Sequence, residues 1–262
     1  MRLSHTRIGS GEPLLLIHGL GSHYKVWEPV MDRLAAEHEV IGIDLPGFGD
    51  SPPLPDDATP DAHQLTDAVQ SFLDDIGWAK PHIAGNSLGG WIALELAKRG
   101  RAASVAAIGP AGFGNKRERA FTVESLRSAH RICQLTYGLA PRLMASPTGR
   151  KLFLAQNFAR PERMTTEAAV ATVRNFADSP GVPGALEALR QGHFSGGERI
   201  DVSVTMMWGE RERLLPRRQR QAARSVRAVP GARLVWLRGC GHAPMWDDPP
   251  QVAQAVLEAT RP

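Results

Sequence analysis

Residues 82–100 read HIAGNSLGGWIALELAKRG. The first five form a short apolar run suited to a buried strand, and from Leu88 onward the apolar spacing is that of a helix. Between them lies GNSLGG, Gly85 to Gly90, which satisfies G-x-S-x-G. A strand that turns directly into a helix around one serine needs small residues on both sides, since larger ones would collide. The serine is left on a sharp, strained turn with its hydroxyl at the top of a sheet. The helix N-terminus behind it favours negative charge developing nearby. Five residues with three fixed positions recur by chance; the strand–turn–helix setting is what makes Ser87 a candidate nucleophile.

Outward from this motif, short apolar runs alternate with longer helical patterns. Strands are predicted at 13–17 (PLLLI), 40–44 (VIGID), 82–86, 104–108 (SVAAI), 203–208 (SVTMMW) and 233–237 (RLVWL), with helices over roughly 24–37, 61–77, 88–99, 217–228 and 249–260. Pro249 and Pro250 suit the first turn of the last helix. This alternation predicts an α/β fold with a mostly parallel sheet flanked by helices. It stops between Phe113 and Ile200, where helix-like runs at 117–137, 148–158, 165–177 and 184–192 are broken by prolines and no strand is legible. The expected organisation is a core of residues 1–112 and 201–262 with a helical insertion at 113–200. The apolar face of that insertion (Phe121, Leu126, Leu135, Phe153 and Phe176) must be buried against something, and in a lone chain that is the core.

A length of 262 residues accommodates such a core and insertion. The net charge of +4 comes with arginines that alternate with acids and alanines along helices. Basic residues interleaved with base-stacking aromatics are not found, so no nucleic-acid partner is expected. Cys133 and Cys240 are too few for a disulfide framework or a CxxC metal site and read as reduced thiols. The apolar run before His18 is too short for a secretion signal, and no stretch is long enough to span a bilayer. The expectation is a cytoplasmic protein with no membrane partner.

Two loops that follow predicted strands carry further chemistry. HGLG, His18 to Gly21, leaves the strand PLLLI with two glycines and can aim a backbone N–H at the space beside Ser87. An oxyanion hole needs two such donors, and the residue after the nucleophile supplies the other. We assign them to Leu20 and Leu88. His18 itself reads as a structural hydrogen-bonding group. GCGHAPMWDDP, Gly239 to Pro249, follows the last strand and can swing His242 over the sheet as the base that a weakly nucleophilic serine requires. The other histidines lack this placement: His5, His23, His38 and His63 read as loop or helix-face residues, His82 begins a strand, and His130 and His193 lie in the insertion. A fourth stretch, WGERERLLP (208–216), ends an apolar strand in four charges. It is either a solvated loop with local ion pairs or the place of a buried catalytic carboxylate.

HGLG, DLPGFGDS (44–51), GNSLGG, WGERERLLP and GCGHAPMWDDP together resemble, in order and spacing, the motifs of the α/β-hydrolase family, across essentially the whole chain. The resemblance implies the α/β-hydrolase fold and the catalytic order Ser, acid, His, which falls here on Ser87, an acid near 212, and His242. It also implies that 113–200 is a helical cap. Two departures stand out. The N-terminus is short for the family's opening hairpin, so about seven strands are expected. The family usually has aspartate where this chain has Glu212, which we choose over Glu210 as the orienting acid.

The expected activity is that of a serine hydrolase cleaving a small to medium carboxylic ester through an acyl-enzyme, with no metal and no organic cofactor. Tyr24, Phe113, Leu214 and Met245 are the expected pocket residues. One alternative is carbon–carbon bond hydrolysis of a vinylogous diketone. Asn86 before Ser87 resembles that subgroup, but Ala243 stands where it often has tryptophan. Another is a non-catalytic ligand-binding relative of the fold. Dehalogenase and epoxide hydrolase chemistry use an aspartate where Ser87 stands.

Overall fold

Seven strands form one sheet in the order β1-β3-β2-β4-β5-β6-β7: β1 His5–Gly9, β2 Glu12–Ile17, β3 His38–Ile43, β4 His82–Asn86, β5 Ser104–Ile108, β6 Ser203–Gly209 and β7 Arg233–Leu237. The structure, a computed structural model, describes residues 2–55 and 58–261. All neighbouring strands pair in parallel except β1, which runs antiparallel to β3. The central strands are near-continuous apolar runs; every residue of β5 is buried, as expected of a parallel sheet covered on both faces.

The helices of the core are α1 Glu28–Ala35, α2 Ala62–Asp75 and α3 Leu88–Lys98. Between β5 and β6 come α4 Lys116–Leu135, α5 Ala140–Ala145, α6 Pro147–Leu154, α7 Thr166–Asp178 and α8 Val182–Gln191. The core then resumes with α9 Arg218–Ala228 and α10 Pro249–Thr260. The sheet divides the apolar interior in two. One cluster packs α2 and α3 against one face through Phe72 and Trp91 and extends to Leu186 of α8, and the other packs α1 and α10 against the opposite face through Trp27, Leu34 and Val256.

The insertion starts with a capping box. The Asn115 side chain accepts from Glu118 N, and the Glu118 carboxylate accepts from Asn115 N, satisfying two otherwise orphaned donors of the first turn. Glu118 also pairs with Arg224 on α9, whose Nε donates to Phe113 O, so the root of α4 is fastened to the core.

Three features differ from the sequence reading. The sheet has the expected seven strands, but β1 is not among the six located in the sequence, and it places His5 on a strand; His38 likewise begins β3. Helix α5 lies in a stretch read only as a proline-broken connection. Of the five apolar side chains expected to face inward from the insertion, Leu126 is buried and Phe153 and Phe176 partly so, but Phe121 is 56% exposed and Leu135 85%.

Candidate active site

Ser87 is the single residue between β4 and α3, with φ 56° and ψ −113°. A non-glycine residue in this half of the map stores about 1–3 kcal/mol of strain, tolerated only where its surroundings hold it. They do so here with hydrogen bonds: Ser87 N donates to Ile108 O at 2.9 Å, and Ser87 O accepts from Ala111 N at 3.0 Å and Trp91 N at 3.1 Å. The glycines of the motif are required by close approach. A Cβ on Gly85 would lie 2.2 Å from Gly89 O, and one on Gly89 would lie 2.3 Å from Ile17 O.

Glu212 and His242 come from the loops after β6 and β7. The Glu212 side chain is fully buried, with Oε2 2.6 Å from His242 Nδ1. Its other oxygen, Oε1, accepts from Leu214 N at 2.7 Å and Leu215 N at 2.9 Å. Two backbone donors therefore fix the carboxylate, and its remaining oxygen is aimed at the imidazole. This arrangement holds the proton on Nδ1 and leaves Nε2 as the free base. His242 Nε2 is buried and has no hydrogen-bond partner among the described residues. It lines the same cavity as Ser87, although the Ser87–His242 hydrogen bond is not closed in this geometry. Such bonds are often long without substrate and tighten in the complex.

Two groups that the sequence reading did not place at this site support the dyad. Gly109 backs it from the end of β5: a Cβ there would lie 3.3 Å from His242 Nδ1 and 3.5 Å from Glu212 Oε2. Asn86 Nδ2 donates to His242 O at 2.9 Å and to Ile108 O at 3.1 Å, tying the histidine loop to the nucleophile's own strand. The signals that could have flagged them are the place of Asn86 inside GNSLGG and that of Gly109 just after a strand end.

The rival acids are engaged elsewhere. Glu210 Oε2 accepts from Gly239 N at 3.0 Å, and Asp248 caps α10. Asp247 is fully buried and accepts from Gly241 N, Ala159 N and Arg160 N at 2.7–3.0 Å. His18 is also spoken for. Its Nε2 accepts from Leu45 N at 2.9 Å, so its Nδ1 donates to Gly19 O at 2.7 Å. Burial lowers its pKa to about 4, the nearby Asp44 opposing.

The cavity above Ser87 encloses about 950 Å³ of empty space, its mouth included. Leu20, Leu88 and Leu214 line it. The backbone N–H groups of Leu20 and Leu88 are engaged by no acceptor among the described residues. Tyr24, Phe113 and Met245 do not line it. Tyr24 opens a short turn, its N–H bonded to Asp44; Phe113 packs on Phe194 at 5.3 Å; Met245 is fully buried in the core beneath α1 and α10. The roof comes instead from Leu126, Phe153, Val173 and Phe176, and among the described residues no Asp, Glu, Lys or Arg lines the cavity. Cys133 does, but burial pushes its thiol up to about 11, so it is protonated and inert as a nucleophile. Among the described residues no cluster of three or more His, Cys, Asp or Glu could hold a metal ion.

The parallel sheet with its strand-end serine, histidine and buried carboxylate defines the class as a hydrolase fold of the doubly wound α/β type. The match to the alpha/beta hydrolase family spans residues 14–255, and the chain belongs to that family. It is 29% identical over 263 residues to the dihydrolipoyllysine-residue acetyltransferase component of the acetoin cleaving system of Cupriavidus necator, covering 92% of this chain and 62% of that protein. The chain thus spans just under two thirds of that relative's length. It is 31% identical over 197 residues to the epoxide hydrolase EphH of Mycobacterium tuberculosis, covering 73% of this chain and 91% of the relative. Among solved structures, a bacterial membrane phospholipase A superposes with a TM-score of 0.78 at 28% identity, covering 99% of this chain and 83% of that one.

Proposed function

We propose that this chain is a serine esterase acting on an apolar carboxylic ester. The observation that carries the reading is the buried Glu212–His242 pair at 2.6 Å, in one cavity with a serine on a strained strand–helix turn. In the proposed reaction His242 Nε2 takes the Ser87 Oγ proton as Oγ attacks the ester carbonyl carbon. Leu20 and Leu88 N–H donate to the resulting oxyanion. The tetrahedral species collapses by breaking the C–O bond to the alcohol, which leaves with the proton from His242. Water then repeats the sequence on the acyl-enzyme: His242 takes a water proton, hydroxide attacks, and Ser87 Oγ leaves with the proton. Glu212 stabilises the imidazolium at each stage without accepting the proton.

The apolar lining, with no Asp, Glu, Lys or Arg among the described residues, supports an uncharged substrate held through hydrocarbon contact. We assign 113–200 the role of a cap, since α4, α6 and α7 contribute the roof. Two buried free thiols support a reducing, cytoplasmic setting. Ser87 argues against the epoxide chemistry of the mycobacterial relative, because family members with that activity use an aspartate at this position.

The test is labelling by a fluorophosphonate probe, with a panel of chromogenic esters run beside a diketone dienoate. The expected result is labelling and ester turnover, both abolished in a folded Ser87→Ala protein. Turnover surviving in that variant at the wild-type rate refutes the assignment. Turnover of the dienoate alone moves the chain to carbon–carbon bond hydrolysis. A folded wild-type chain that takes no probe and no substrate is a non-catalytic relative.

A further inference from the structure

The outer face of the insertion is built unlike the rest of the surface. Of the large hydrophobic side chains exposed among the described residues, Phe121, Ile132, Leu135, Tyr137, Leu139 and Leu152 all belong to it; the one other, Leu234, is on β7. Leu135 is 85% exposed and Leu152 79%. Single exposed leucines need no explanation, but a cluster does. Phe121, Ile132 and Leu135 are spaced so that they share one side of α4. Leu152, on α6, belongs to the same surface, since Gln156, one turn beyond it, donates to Ser125 on the flank of that side of α4.

Charge singles out the same segment. Residues 113–200 hold thirteen Lys and Arg against seven Asp and Glu, a net of +6, whereas the remainder holds eighteen against twenty, a net of −2. Around the apolar side chains Arg117, Arg131 and Arg142 are exposed and have no carboxylate partner among the described residues. A second copy of the chain would bring two like-charged faces together, which disfavours self-association. Hydrocarbon side chains on the outsides of helices, with long cationic side chains beside them, fit a surface that is anionic outside and apolar just beneath.

We propose that the outer face of α4 to α6 is a peripheral docking surface for anionic phospholipid bilayers. Phe121, Ile132, Leu135 and Leu152 enter the interfacial layer, and Arg131 and Arg142 meet the headgroup phosphates. The absence of a spanning segment, which underlies the expectation of no membrane partner, does not bear on binding of this kind. The other side of α4 roofs the catalytic cavity through Thr122, Leu126, Ala129 and Cys133, so docking lays the roof of the site on the bilayer.

The experiment is flotation of the full chain with vesicles of phosphatidylcholine containing phosphatidylglycerol, against pure phosphatidylcholine, at low and high salt. Ser87→Ala is carried in parallel, because binding needs no hydrolysis and so stands or falls apart from the proposed reaction. Binding to the anionic vesicles is expected, weakened by salt, and equal in Ser87→Ala. Each arginine reversed to glutamate lowers the partition coefficient by about fivefold or more, so R131E with R142E gives about twenty-fivefold or more. Leu135→Ser with Leu152→Ser gives a loss of the same order, with turnover of a short, water-soluble ester unchanged. The proposal is overturned by absence of flotation with anionic vesicles, by equal binding to neutral ones, or by variants that float like wild type. Concentration-dependent dimerisation abolished by the serine pair, without vesicle binding, assigns the face to self-association and also overturns it.

Discussion

Glu212→Gln is the most informative single change, because the three hydrogen bonds on the carboxylate cannot all survive it. Oε1 accepts from two backbone N–H groups and Oε2 faces His242 Nδ1. A glutamine has one acceptor oxygen to divide between these sides. Turned toward His242, its NH2 group would face the two buried donors of Leu214 and Leu215, leaving both unsatisfied at about 1–3 kcal/mol each. Turned the other way, it satisfies both and presents NH2 to the imidazole. The second arrangement keeps three hydrogen bonds to the first one's single bond, and it demands an acceptor at Nδ1. The proton then moves to Nε2, where it blocks the nitrogen that must take the Ser87 proton. In a serine-protease triad the equivalent acid-to-amide change lowers kcat by about 10⁴, or roughly 5.5 kcal/mol in the barrier. We expect a kcat loss on the order of 10³–10⁴ on a chromogenic ester, with KM little changed and fluorophosphonate labelling slowed in parallel. Glu210→Gln is the control; among the described residues its carboxylate bonds to Gly239 N alone, and its effect should be within a few-fold. A Glu212→Gln protein that keeps kcat within tenfold refutes the tautomer argument and the acid assignment with it.

Two further outcomes follow from the same geometry. His18, held neutral with a pKa lowered to about 4 by burial, is protonated from an ordinary value near 6.5 in the unfolded chain. Stability is therefore full above about 6.5 and falls as pH drops toward 4, by up to about 3 kcal/mol. Urea midpoints at pH 7 and 4.5 check this; a His18→Gln protein with an unchanged pH slope contradicts it. Leu126→Trp should fill the roof of the cavity and lower kcat/KM for long acyl esters at least tenfold more than for acetate esters; an unchanged chain-length profile would place the acyl site elsewhere.

The sheet was legible wherever burial on both faces forces a continuous apolar run, as in SVAAI at β5. It was not legible at β1, where HTRIG alternates exposed and half-buried residues along an edge and carries no apolar run to read. The site motifs announced themselves through glycine, since GNSLGG and GCGH mark turns that side chains would block. The pocket was a different matter. Tyr24 and Met245 lie beside or within the motifs in sequence and Phe113 follows a strand, but a roof is set by which helix faces pack over the sheet. Helical spacing alone gives two apolar sides for α4, one with Leu126 and one with Phe121 and Leu135, and only tertiary packing decides which turns inward.

The three proposed catalytic side chains all lie outside the insertion, so replacing 116–198 with a short linker would be expected to alter substrate choice and spare the chemistry. The hydrogen bonds argue otherwise. Asn157 O accepts from Ala243 N at 2.8 Å, one residue beyond the histidine. Asp247 joins Gly241 N, on the other side of His242, to Ala159 N and Arg160 N of the insertion. Segment 157–160 is thus one wall of the loop that carries His242, and a Cβ on Gly241 would lie 2.7 Å from Ala159 N. Removing the insertion strips Asp247 of two of its three backbone donors. Burial already raises the pKa of this carboxyl, so it would turn toward water and carry the loop with it. The deletion should therefore slow probe labelling at Ser87 as well as change selectivity. Asp247→Ala in the full chain separates the two effects: it should lower kcat at least tenfold for short and long esters alike, while leaving their ratio unchanged. A shift in that ratio with kcat preserved would mean that the clamp positions only the roof, and that the histidine loop holds its shape without the insertion.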